Sequence, residues 1–312
     1  MLARAAENMY WMGRYLERSA GLCRKLEVAR NLAVEVGGLD PASTLRFVHG
    51  MSSLYPGSSE VVCTGQVHET LDAMLSSYLL GHGNDLSVAV SLRAARENAR
   101  AVRDYLSREV FESINSAWLD LAASIESGRD ADLVLPEVQQ RVFGIGGAMG
   151  RTMLRDESWA FVDLGSMLER MHRVLLVVAY RLPDALGDGP LAIPVQVALL
   201  RGVLRSGASL ENYRRVQGVE LDPASISAFL LLDRHAPHSV AYGLRVMEDA
   251  MDLLGATEGE SEARRRTGLL SARLRYGAPE TFDWRMEGRA CIEIADEIVS
   301  IHESLSRQYF AV

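Results

Sequence analysis

The chain has 312 residues, 48% of them hydrophobic and 24% charged, which is typical of a folded globular protein and excludes a disordered chain. Its net charge of −8 argues against broad nucleic-acid binding, because phosphate backbones are repelled by an acidic surface. Cys23, Cys63 and Cys291 lie far apart without a Cys-x-x-Cys pair, so a zinc ribbon and a dithiol redox motif are excluded. The odd cysteine count and the absence of a secretory leader pattern predict a cytoplasmic protein. The apolar runs are too short to span a membrane.

Apolar residues recur every three or four positions along most of the chain, which predicts helices. The first helix runs from residue 2 to the glycine pair at 37–38, and Asp85 is predicted to cap a later helix that continues through Arg103. Pro183 is predicted to end the helix that begins at 158. The other predicted helices are 43–53, 66–80, 135–153, 193–205, 223–232, 238–254, 262–275 and 284–308. No stretch alternates with period two between hairpin turns, so we expect an all-α, multi-helix bundle.

Three sequence patterns recur 152 residues apart. Gly-x-x-Leu-Glu-Arg occurs at 13–18 and 165–170, and Ser-Val-Ala-x-x-Leu-Arg occurs at 87–93 and 239–245. A Leu-Leu pair repeats at the same offset. The sequence therefore predicts a single domain over 1–312, built from duplicated helical halves 1–152 and 153–312. The seam between the halves is the expected pocket, since ligands often bind where two units meet.

The repeated Glu-Arg pair is the first candidate site. Arg14, Glu17 and Arg18 are spaced to share a helix face, and Glu169 and Arg170 are the counterparts of Glu17 and Arg18 in the second half. Two inward carboxylates could hold a cation, act as a general base or bind an amine. The alternative is a structural ion pair or a solvated helix face.

A second polar cluster lies in the predicted helix after Asp85. Arginine side chains suit carboxylate or phosphate recognition, and a charge ladder facing water is the alternative. The residues of this cluster are Arg93, Arg96, Glu97, Asn98 and Arg100.

Three further motifs contain residue types that occur in binding or metal sites. Arg155 and Asp156 form either a site wall or, through Asp156, a helix cap. Glu169 and His172 have the Glu-x-x-His spacing of di-iron bundles, but Ala20 stands at the duplicate of His172, so no metal site is predicted. The glycine-rich stretch 144–152 lacks the Gly-Lys-Ser/Thr ending of a phosphate loop, so no nucleotide is expected on this chain.

Several long motifs, in order, resemble the bacterial Alpha-E family over essentially the whole chain. They are the opening segment 1–18, the Ala-Arg-Glu-Asn-Ala-Arg run at 95–100, Glu-Ser-Ile-Asn at 112–115, Met-Leu-Arg-Asp at 153–156, the segment 164–170, Phe-Leu-Leu-Leu-Asp at 229–233 and Pro-His-Ser-Val-Ala at 237–241. Two departures stand in the second half, at Ser166-Met167 and at Met171-His172.

The resemblance implies an all-helical protein that is usually encoded beside, or fused to, a circularly permuted ATP-grasp protein, often with a transglutaminase-like protease nearby. It further implies a role in ATP-dependent amide-bond formation or peptide modification, in which the ATP-grasp partner binds ATP and Mg²⁺. The family's motif residues fall here on Glu17, Arg18, Arg96, Glu97, Asn98, Arg100, Arg155, Asp156, Glu169 and Arg170.

The leading hypothesis is therefore a helical component of such a ligase system, with a Glu/Arg-lined pocket or partner interface and a peptide as possible substrate. Glu17, Glu97 and Glu169 are the candidate catalytic carboxylates. The candidate substrate-binding residues are Arg14, Arg18, Arg93, Arg96, Asn98, Arg100, Arg155, Asp156 and Arg170. An autonomous carboxylate-based hydrolase or transferase and a non-catalytic scaffold are the alternatives, so the sequence leaves open whether the chain is an enzyme.

Overall fold

The computed structural model describes residues 1–36, 71–81, 84–186, 193–256, 261–276 and 287–311. The regular structure in these ranges is helical and contains no strand, which confirms the predicted all-α class. The predicted helix at 43–53 and the beginning of the one at 66–80 lie outside the described residues. The helices are α1 (Ala3–Val36), α2 (Leu71–Leu80), α3 (Val88–Ala101), α4 (Arg108–Glu126), α5 (Ala131–Thr152), α6 (Glu157–Leu176), α7 (Ile193–Ser206), α8 (Leu210–Gln217), α9 (Pro223–Leu232), α10 (Val240–Leu253), α11 (Glu262–Tyr276) and α12 (Glu287–Tyr309).

Helices α1 and α6 form the central pair of the bundle. Helix α1 also packs on α3, α5 and α7, and α6 also packs on α10 and α12. The two central helices approach closely at glycines: a Cβ on Gly13 would collide with the carbonyl oxygen of Val162, and one on Gly165 with that of Tyr10. Glycine is needed at both positions because no side chain fits between the backbones. This crossing brings the two Glu-Arg pairs to one interface.

Described helices in the two halves follow the 152-residue offset found in the sequence. Helices α2 and α9 begin and end at positions 152 residues apart, and so do α3 and α10. Ser87 and Ser239 cap α3 and α10 in the same way, each accepting a hydrogen bond from the backbone N–H three residues later. The halves thus share helix positions, while the duplication itself stays a prediction.

Both predicted boundaries of α3 are wrong. The cap of α3 is Ser87 and not Asp85, because the serine hydroxyl accepts the Val90 N–H at 3.1 Å. This helix ends at Ala101, short of Arg103.

Pro183 does not end the helical course of α6, which passes through a π-turn at Val177–Arg181 and continues through Leu182–Leu186. A wider turn of this kind accommodates a residue without a backbone N–H. No helix among the described residues is long and apolar enough to cross a lipid bilayer.

Candidate functional site

Each Glu of the repeated motif is held by two arginines where α1 crosses α6. Glu169, only 3% exposed, accepts hydrogen bonds at Oε2 from Nε (3.0 Å) and Nη2 (2.9 Å) of Arg14. Nε of Arg18 donates to Oε1 of the same carboxylate at 2.8 Å. The carboxylate of α6 is therefore neutralised by two guanidinium groups of α1.

Glu17 has the reciprocal arrangement. Arg170 donates from Nη2 to Oε2 at 2.6 Å and from Nε to Oε1 at 3.1 Å. Arg173 donates from Nη2 to Oε1 at 2.5 Å. The two Glu-Arg pairs thus exchange partners, with Glu17 on Arg170 and Glu169 on Arg18.

Arg173 was not among the sequence candidates, although it lies one helical turn after Arg170 and so shares its helix face. Its guanidinium group lies over Gly21, where a Cβ would collide with it. The sequence does not show that Arg173 is buried against Gly21, because this contact depends on how the two helices pack.

The arginines keep both carboxylates ionised. Burial alone would raise their pKa, but the charges and hydrogen bonds of the neighbouring guanidinium groups outweigh it. The pKa of Glu169 falls to about 2, and that of Glu17 is also held well below its usual range. Since every carboxylate oxygen already accepts N–H groups, neither residue is suited to act as a general base or as a cation ligand. No cluster of metal-ligating side chains occurs in the described ranges.

Positive charge is in excess in this buried network. Among the described residues, four guanidinium groups share two carboxylates, so the formal charge of these six groups is +2. Lys25 is buried nearby at 3% exposure, and burial lowers its pKa to about 7. A net positive potential beside a cavity favours an anionic ligand.

A cavity of about 520 Å³ borders the Arg14 and Arg18 side of the network. Arg14 lies over the Trp11 ring, 5.0 Å from its centroid, and Arg18 lies 5.2 Å from that of Tyr15. These cation–π contacts hold both guanidinium groups in place. The remaining lining residues are Asp85, Leu86, Val90, Ala94, Leu168, His172, Ile298, Val299 and His302.

The two histidines of the cavity are neutral at physiological pH, because burial lowers the pKa of His172 and of His302 to about 4. Nδ1 of His302 lies 2.6 Å from the Tyr10 hydroxyl oxygen. Nδ1 of His172 is buried and has no hydrogen-bond partner in the described part of the chain. The histidines therefore add polar atoms to the cavity but no charge.

Glu97 does not join this site. It lies exposed on α3, where its carboxylate accepts hydrogen bonds from Arg96 (2.8 Å) and Arg100 (3.1 Å). Asn98 donates to a backbone carbonyl of its own helix, and Arg93 is exposed. The cluster on α3 therefore matches the alternative interpretation, a charge ladder that faces solvent. None of its residues lines the cavity.

Asp156 is a helix cap, accepting from the backbone N–H groups of Ser158 at 2.9 Å and Trp159 at 3.4 Å. Arg155 stacks on the Trp159 ring with its guanidinium carbon 3.4 Å from the centroid. Both residues fix the start of α6 and lie outside the cavity.

Comparison with known proteins places this geometry in a family. Residues 1–310 match the model of the Alpha-E family, described as a predicted alpha-helical domain with a conserved ER motif. Uncharacterised proteins of Mycobacterium bovis and Mycobacterium tuberculosis are 25% identical over 97% of this chain. The chain spans about 35% of the length of these relatives. No solved structure matches the chain. The chain, with its Glu-Arg pairs at 17–18 and 169–170, therefore belongs to the Alpha-E family.

Proposed function

We propose that this chain binds a carboxylate-bearing small molecule in the cavity beside Arg14 and Arg18. It would do so as the helical component of an ATP-dependent amide-ligase or peptide-modification system whose partner is a circularly permuted ATP-grasp protein. The observation that carries the proposal is the excess positive charge of the buried network next to a cavity of about 520 Å³. That volume is within the range of small-molecule sites, which usually have mostly apolar walls and only a few polar groups.

The expected chemistry divides between the two components. A carboxylate is the group that ATP activates before an amide bond forms, and guanidinium groups on aromatic rings can position it. ATP and Mg²⁺ are assigned to the partner, because the glycine-rich stretch 144–152 is not a phosphate loop. The relatives support a two-component arrangement, since their Alpha-E region is only about 35% of a longer protein.

The saturated carboxylates weigh against an autonomous hydrolase or transferase. Such an enzyme needs a carboxylate that can take up a proton or attack a substrate. Glu17 and Glu169 are each bound by two arginines and remain ionised. We therefore assign them the role of positioning Arg14, Arg18, Arg170 and Arg173.

Calorimetric titration with 4-methylpentanoate and with 4-methylpentanamide tests the binding proposal, because the two probes differ only in the carboxylate. We expect the acid to bind and the amide not to bind. Ala94→Phe, which fills the cavity, should abolish binding, and Ala122→Phe on α4, outside the cavity lining, should not. Equal binding of acid and amide would overturn the proposal, and so would undiminished binding by a folded Ala94→Phe variant.

Two measurements test the division of labour with the partner. The chain alone should not bind ATP with Mg²⁺, and at micromolar concentration it should co-purify with a circularly permuted ATP-grasp protein of the same organism. Tight ATP binding by the isolated chain contradicts the assignment of nucleotide to the partner. Failure to associate contradicts the proposed partnership with the ATP-grasp protein. The carboxylate-binding proposal is tested separately by the titration.

A further inference from the structure

We infer that the ligand of this cavity is a free α-amino acid with an apolar side chain, held by its carboxylate at Arg14 and Arg18 and by its ammonium group at Asp85. The inference rests on the proposed carboxylate binding and adds a second recognised group. It follows from the distribution of charge around the cavity, from the polarity of its walls, and from the role that Asp85 does not play in the helix next to it.

The carboxylate of Asp85 makes no structural contact of its own with the other residues that the structure describes. The N-cap of α3 is Ser87, and the backbone N–H of Leu86 donates to the Asn84 side chain at 3.0 Å. None of the hydrogen bonds or ion pairs among the described residues involves the Asp85 side chain, which is exposed and lines the cavity. An exposed acidic side chain thus lines the cavity without a hydrogen-bond or ion-pair partner in the described part of the chain.

Side chains of both charge signs line the cavity. Arg14 and Arg18 are mostly buried, whereas Asp85 is exposed. His172 and His302 contribute no charge to the cavity because burial keeps both rings neutral. A ligand that carries a carboxylate and an ammonium group, as an α-amino acid does on its α-carbon, is complementary to this lining, and a simple dianion is not.

Most of the other side chains that line the cavity are apolar. Leu86 and Val90 come from the α3 side, Leu168 from α6, and Ile298 and Val299 from α12. An aliphatic or aromatic side chain would bury its surface there, which contributes about 25 cal/mol per Å². A polar or charged side chain would lose hydrogen bonds to water without replacing them. The cavity therefore selects for an apolar amino acid.

Titration with L-leucine, 4-methylpentanoate and L-leucinamide tests the inference, since the last two lack the amine and the carboxylate respectively. We expect L-leucine to bind about 1.5- to fivefold more tightly than 4-methylpentanoate, the range for one exposed ion pair. Asp85→Asn should remove this difference and leave the affinity for 4-methylpentanoate unchanged or slightly higher. Asp104→Asn, at an exposed position outside the cavity lining, is the matched control and should keep the difference.

The outcomes separate the two proposals. If 4-methylpentanoate binds as tightly as L-leucine, or if Asp85→Asn retains the preference for L-leucine, the amino-acid inference is wrong and carboxylate binding stands. If L-leucinamide binds as tightly as L-leucine, the carboxylate proposal fails, and the amino-acid inference fails with it.

Discussion

Replacing Glu169 with glutamine should destabilise the protein strongly, because it removes the carboxylate to which both Arg14 and Arg18 are bonded. Glutamine has nearly the same shape but carries no charge, so the excess positive charge of the network increases by one. Breaking a buried ion pair from one side typically costs about 3–5 kcal/mol. The expected effect is on folding, since this carboxylate is saturated by arginine N–H groups.

The pKa of Glu169 gives an independent magnitude. Its ordinary value of 4.5 falls to about 2 in the folded protein, and each pKa unit is worth about 1.4 kcal/mol. The charge of Glu169 therefore contributes roughly 3 kcal/mol. Because the folded pKa is lower than the unfolded one, this stabilisation is complete above about pH 4.5 and is lost as the pH falls toward 2.

Urea unfolding of wild type and Glu169→Gln at pH 7 and at pH 3 measures both effects. We expect a loss of about 3 kcal/mol at pH 7 with an unchanged m-value, and a smaller difference at pH 3. Glu97→Gln is the control, because this exposed residue of α3 should change stability by less than about 0.5 kcal/mol. Equal losses for the two variants at pH 7, or a difference that grows in acid, would refute the reasoning.

Three other substitutions act on the same helix pair and on its surroundings. Lys25→Met should stabilise the protein at pH 7, because the buried amine has a pKa of about 7 against 10.5 in the unfolded chain. The gain in the free energy of unfolding should shrink as the pH rises toward 10. A gain that does not change with pH in urea unfolding would contradict this reasoning. Gly165→Ala should destabilise by several kcal/mol, because its Cβ would collide with the Tyr10 carbonyl. Gly147→Ala should instead increase the free energy of unfolding by about 1 kcal/mol and so raise the melting temperature, because no other atom lies near the position of the new Cβ on this exposed helical glycine. A lower melting temperature for Gly147→Ala would contradict this expectation.

The all-α class and many helix positions could be predicted from the sequence, because helix periodicity and capping signals are local. The helix at Pro223–Leu232 was predicted with the bounds it has in the structure. Asp85 and Pro183 show the limit of such signals. Ser87 lies nearer the first turn of α3 and is its N-cap. A π-turn before Pro183 lets the helical course of α6 continue past the proline.

The candidate site was predicted in part. The sequence singled out Glu17, Glu169, Arg18 and Arg170 because the repeated motif contains them. It singled out Arg14 because this residue lies three positions before Glu17 and shares its helix face. It also put Glu97 with them, since spacing along one helix cannot distinguish a buried face from a solvated one. Arg173 lacks a counterpart in the first half, where Gly21 stands at the matching position.

What the sequence by itself determined is a chain of amphipathic helices with two Glu-Arg pairs, because those features depend on neighbours three or four residues away. Only the tertiary structure decided that each Glu binds the Arg of the other pair, since Gly13 and Gly165 let α1 and α6 cross closely enough for guanidinium groups to reach across. The same packing brings Asp85 and His302, distant in sequence, to the cavity beside Arg14. Contacts between helices depend on how buried faces fit together, and that fit is not encoded in any single stretch of the chain.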